Sequence, residues 1–87
     1  MQELHDQTEK IRSVRQAHEN ELMAKANVVG VGVGYRQQAG NRTDELALVV
    51  MVNKKVPLAQ LAPEDIIPTS LDGVPVDVLE VGELRAF

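Results

Sequence analysis

Five groups of residues in this 87-residue chain have types that do chemistry elsewhere. The first is Gly30-Val31-Gly32-Val33-Gly34, which has the composition of a phosphate-cradling loop. Such a loop must open onto a helix N-terminus, and the dinucleotide fingerprint spaces its glycines as G-x-G-x-x-G. Here the glycines recur at every second position, and a polar loop follows with no Gly-Lys-Ser/Thr after it. That period is the period of a strand with one bare face, so no nucleotide cofactor is expected.

The second group is His5 and His18, thirteen residues apart in one helical segment. That spacing is about 20 Å along a helix, too far to chelate one ion. Neither H-x-x-x-H nor H-E-x-x-H occurs, and there is no cysteine, so no metal site is expected. Ser13 and Ser70 are the serine candidates for a nucleophile. Ser13 lies mid-helix and Ser70 precedes a turn, with no histidine near it in sequence. Paired carboxylates occur at Glu64-Asp65 and at Asp77 with Glu80. Pro63-Glu64-Asp65 suits the first turn of a helix, where acids favour the positive dipole end. General acid work would need a pocket to raise a pKa, and nothing in the pattern indicates one. Lys54 and Lys55, with Arg36 and Arg42, could form a small basic patch. Without interleaved aromatics it makes a poor nucleic-acid platform, and the lysines read better as charges closing an apolar strand. The chain is therefore not expected to be an enzyme by itself.

Composition agrees. A net charge of −4 opposes general nucleic-acid binding and, weakly, an anionic membrane surface. No apolar run approaches a spanning helix, and the polar stretch Met1 to Lys10 is no signal peptide, so a cytoplasmic location is the default. The length suits one compact domain with a thin stability margin. The only aromatics are Tyr35 and Phe87, so the core must be aliphatic.

The elements that would position these residues follow from pattern. Residues 1–26 lack Gly and Pro and are rich in helix formers. Asp6-Gln7-Thr8-Glu9 has capping-box spacing and could start the helix. Leu4, Ile11, Val14 and His18 form a narrow seam. It predicts a helix lying on a sheet, with partial projection onto another chain as the alternative. Residues 27–87 read as a small sheet unit. Val29, Val31, Val33 and Tyr35 share one face of its first strand. Gly30, Gly32 and Gly34 occupy the other, where close packing of the helix is expected. Arg36 to Thr43 reads as a hairpin loop. Glu45 to Val52 is almost wholly apolar, the mark of a central strand buried on both faces, or otherwise of a strand with one face covered by a partner. Pro57-Leu58-Ala59-Gln60-Leu61 and Pro63 to Pro68 read as short helical turns, Ser70-Leu71-Asp72-Gly73 as a turn, and Val74 to Val81 as a third strand. The fold class is α+β: an N-terminal helix packed on a small, mainly antiparallel sheet of about three strands with a short helical crossover.

Read together, NVVGVGVGYR, TDELALVVMVNKKVP and PEDIIPTSLDGVPVDVLEVGELRA resemble the region ahead of the peptidase domain in bacterial trypsin-like (chymotrypsin-fold) serine peptidase proteins. The plant Nal1-like proteins look related to that group. The resemblance covers about Asn27 to Ala86. It implies a module that precedes a protease-like domain; the catalytic His, Asp and Ser of that class would lie beyond Phe87, and none maps to a residue here.

The expected function is a non-catalytic protein-interaction or self-assembly module. Its partner would be another copy or an adjacent peptidase-like domain, met through an exposed edge or seam. Val29, Val31, Val33 and Tyr35 with Leu46, Leu48 and Val50 are the expected contact residues, because strand surface this apolar is hard to hide in so short a chain. The alternatives are a pro-segment that masks a peptidase with the tail Gly82 to Phe87, and a small ligand- or nucleotide-binding domain.

Overall fold

A computed structural model describes residues 2–82. Helix α1 (Gln2–Met23) is followed by strands β1 (Val28–Gln38) and β2 (Asn41–Val52). Single 3-10 turns at Leu58–Gln60 and Pro63–Asp65 lead to β3 (Ser70–Leu71) and β4 (Val74–Glu80). The class is α+β as expected, but the sheet has four strands in the order β1-β2-β4-β3. It is mixed: β1 is antiparallel to β2, whereas β4 runs parallel to β2, pairing Leu48 with Val76 and Val50 with Val78. Parallel pairing requires a long crossover, and the proline-broken segment between β2 and β3 supplies it.

The local reasons are legible. Helix α1 runs through Asp6 without a break, so the capping-box spacing does not set its start. It ends before Asn27, whose φ of 70° turns the chain into β1. Asparagine tolerates that left-handed conformation. The carbonyl of Asn27 then accepts the amide of Asn53 at 2.9 Å, tying the start of β1 to the end of β2. The hairpin loop is far tighter than the eight polar residues suggest. The strands continue to Gln38 and from Asn41, and Ala39-Gly40, both at positive φ, make the turn. Asp72-Gly73 makes the same kind of turn between β3 and β4. Pro63 sits at the start of its 3-10 turn, where no amide is needed.

Helix and sheet share one core. Ile11, Val14 and Leu22 of α1 meet Val31 of β1, Leu48, Val50 and Val52 of β2, and Val74 of β4. The narrow seam is thus a helix stripe lying on its own sheet. Two expectations about faces are corrected by this arrangement. The helix packs on the valine face of β1, not on the glycine face, because Val31 and Val33 pair with Leu48 and Val50 on the side that α1 covers. Strand β2 is central but not enclosed on both sides: Val49 and Met51, which point away from α1, are half-buried.

Candidate functional site

Among the described residues one helix covers one face of the sheet, and no second layer covers the other. Its floor is built by strand alternation. Gly32 pairs with Val49 and Gly34 with Ala47 across β1–β2, while Val49 pairs with Asp77 and Met51 with Leu79 across β2–β4. These residues all point away from the helix. All of them but the buried Ala47 line a hollow of ≈ 400 Å³ on the outer face. One side is a trough, because Gly32 and Gly34 add no side chains. The other is a ridge of Val49, Met51 and Leu79.

The hollow has a polar end. The Gln37 amide donates to Asp77 Oδ2 at 3.0 Å, reaching across from β1 to β4. The guanidinium of Arg42 lies 4.4 Å from the centre of the Tyr35 ring, a cation–π contact. Arg36 Nη1 donates to Glu45 Oε1 at 3.0 Å beside it. An acid, a cation, an amide-bearing bend and an apolar floor therefore line one hollow.

The glycines are informative. None of the three is at positive φ, so backbone conformation does not demand them. A Cβ at Gly30 or Gly34 would crowd Met51 Cε at 2.9 Å or Val49 Cγ2 at 3.2 Å, so these positions let β2 side chains lie flat. A Cβ at Gly32 would meet nothing nearer than Met51 Cε at 3.8 Å, an ordinary contact. Glycine inside a strand costs about 0.5–1 kcal/mol relative to alanine. At Gly32 nothing among the described residues accounts for that cost.

The expected contact residues divide. Val31, Leu48 and Val50 are sealed under α1, with Leu48 and Val50 at 0% exposure, so they are corrected from contact residues to core residues. Val33 and Leu46 pack against that core from its margin. Val29 is the residue skipped where the β1–β2 register shifts, and Tyr35 stands at the polar end of the outer hollow. Gly32 and Gly34 lie on the outer face with Val49, Met51, Asp77 and Leu79. Sequence reasoning missed the last four. The unbroken apolar run of β2 was the signal, since both its faces carry large side chains.

The other chemical candidates are not brought together. The glycine run lies inside β1 and leads by a two-residue turn into another strand, not into a helix. Both ring nitrogens of His18 face carboxylates, Nε2 with Asp72 Oδ2 at 2.9 Å and Nδ1 with Glu21 Oε2 at 3.4 Å. These acids hold its pKa above the ordinary histidine value, Asp72 more strongly than Glu21. With both nitrogens so engaged, the ring is not aimed at a hydroxyl, and Ser13 and Ser70 are exposed. His5 is exposed on α1. Asp77 and Glu80 do not act as a pair: Glu80 Oε1 accepts the Lys55 amide at 2.6 Å, and Asp77 takes that of Gln37. Asp65 accepts the Ala26 amide at 2.9 Å, anchoring the crossover to the end of the helix. The basic patch is corrected too. Arg36 and Arg42 sit at the hairpin end and Lys54 and Lys55 beyond the other end of the twelve-residue strand β2, about 40 Å away along an extended chain.

A second hollow of ≈ 280 Å³ lies beneath the crossover, among Val52, Val56, Leu58, Leu61 and Ile67. It falls just below the usual size of small-molecule sites, and Asp65, the acid in its lining, is already engaged by Ala26. No group of His, Cys, Asp and Glu among the described residues could hold a metal ion. No helix among them is long and apolar enough to cross a membrane. The tail from Glu83 to Phe87, which a pro-segment would use, lies outside the described residues. No curated protein matches the chain. One family does: the NARROW LEAF 1 N-terminal domain, over residues 8–81.

Proposed function

The chain belongs to the NARROW LEAF 1 N-terminal domain family, and from that premise we propose that it is a non-catalytic protein-interaction module whose contact surface is the open, helix-free face of its sheet. The observation that carries this reading is β2. Its run Leu46 to Val52 has the composition of a strand covered on both faces, yet α1 covers only one. Parallel strand pairs such as β2–β4 are ordinarily covered on both sides. A second polypeptide would supply the missing layer over Gly32, Gly34, Val49, Met51 and Leu79. The family's description as an N-terminal domain supports a role alongside further protein. A trypsin-like peptidase domain is one such neighbour, and another copy of the module is the other.

The test pairs Met51→Lys with the unaltered chain. Association is measured with itself by sedimentation and with a trypsin-like peptidase domain of the same family by calorimetry. The reading expects at least one association, lost in the variant while the melting curve stays cooperative. An unaltered chain that binds neither, or a variant that binds as well, would contradict it.

A further inference from the structure

The open face carries its own complement, and we infer that its occupant is the same face of a second copy, paired about a twofold axis. This rests on the docking reading above and adds the identity of the partner. Shape is the first argument. The trough at Gly32 lies beside the ridge of Val49, Met51 and Leu79. A twofold axis lying in the plane of the contact and parallel to the strands turns the second copy over and lays the ridge of each copy in the trough of the other. The bare position at Gly32, unexplained within one chain, then admits the partner's side chains.

Charge is the second argument. Arg42 stacks on Tyr35 but makes no ion pair among the described residues. Asp77, on the same hollow, has one described hydrogen bond, from the Gln37 amide. One unmatched cation and one acid lining a single hollow become two ion pairs when the hollow meets its own copy, since in an isologous contact each pairing occurs twice. Two other surfaces lack this property. The outward side of α1 carries Arg12, Gln16 and Asn20, all exposed and polar. The free edge of β1 is broken by register shifts at Val29 and near Arg36, which oppose pairing by strand addition.

The area sets the strength. Three strands about 4.8 Å apart and six residues long at about 3.3 Å each present roughly 300 Å². A standard interface takes about 800 Å² per partner, so this pairing is weak and concentration-dependent.

The native chain has no cysteine, which allows a direct test. Val49→Cys puts a thiol near the centre of the face, and Gln16→Cys puts one on the outer side of α1 as a control. Under mild oxidation the Val49→Cys chain is expected to form disulfide-linked dimers about 10-fold faster than the control, because pairing raises the local thiol concentration. Equilibrium sedimentation from micromolar to millimolar chain should show a monomer–dimer equilibrium. Arg42→Glu and Asp77→Arg should each weaken it about 10-fold, and the double variant should regain it. Circular dichroism verifies that each variant is folded. Equal cross-linking in test and control, a monomer through the millimolar range, or a double variant no better than the singles would overturn the inference. A monomeric chain that still binds a peptidase domain by calorimetry would overturn the self-pairing alone and leave the docking reading standing.

Discussion

The two faces of β2 use nearly the same residue chemistry and meet different fates. Leu48, Val50 and Val52 point at the helix and are buried; Val49 and Met51, their immediate neighbours, point away and are half-exposed. In an ordinary two-layer domain the outward positions of such a strand would be polar, since antiparallel sheets with one wet face alternate in polarity as well as in direction. From Leu48 to Val52 burial alternates and polarity does not. The inner face is explained by α1. The outer face, with its glycine trough and apolar ridge, is what the proposed partner would cover.

If the inner face holds the fold, truncating it should cost most. Leu48→Ala removes a side chain with 0% exposure and should lose about 2–5 kcal/mol, much of a small domain's stability. Denaturant titration checks this. The neighbouring Val49→Ala should cost the isolated chain about 1 kcal/mol or less, because its side chain is only half-buried. Equal costs at these two positions would erase the contrast between the faces. Gly32→Ala should be neutral or gain up to about 1 kcal/mol in the same assay, since its Cβ has room and its backbone is not left-handed. A clear loss there would mean that the fold, not a partner, requires the glycine.

The smallest effect concerns how the helix is pinned over the inner face. His18 of α1 joins Asp72 in the β3–β4 turn, and only an imidazolium has a proton for both Asp72 and Glu21. Its pKa is raised in the fold, so its contribution to stability is complete below the unfolded value of about 6.5. That contribution is lost as pH rises through the higher folded value. Melting curves across this window should show stability falling slightly with rising pH, and Asp72→Asn should flatten the slope. A slope of opposite sign that Asp72→Asn removes would contradict the clamp.

Much of this was legible in sequence. The seam of Ile11 and Val14, the apolar run of β2, the prolines of the crossover and the Asp72-Gly73 turn each mark their element through local physics. The parts that were not legible depend on tertiary choices. Arg36 to Thr43 is polar because the hairpin projects into solvent, not because it lacks strand structure. The parallel placement of β4 is decided by where the crossover returns the chain, which no local spacing encodes. The face of β1 that receives the helix was read in reverse. Bare glycines invite close approach, but burying Val31 against Ile11, Val14 and Leu22 removes more apolar surface from water than packing the helix on glycine would. The outer site was half visible. Its glycines stood out, whereas Val49, Met51 and Leu79 were hidden in runs that read as core, and Asp77 became distinctive only when Gln37 was brought to it.

One experiment bears on the division between a face that folds the chain and a face that receives another. Hydrogen–deuterium exchange of the amides of β1, β2 and β4 is followed as chain concentration rises from micromolar to millimolar, with Met51→Lys in parallel. The account predicts added protection across β1, β2 and β4 in the unaltered chain, none along α1, and no concentration dependence in Met51→Lys. Protection that is independent of concentration in both would contradict pairing of this face with itself, and protection that grows along α1 instead would contradict the division.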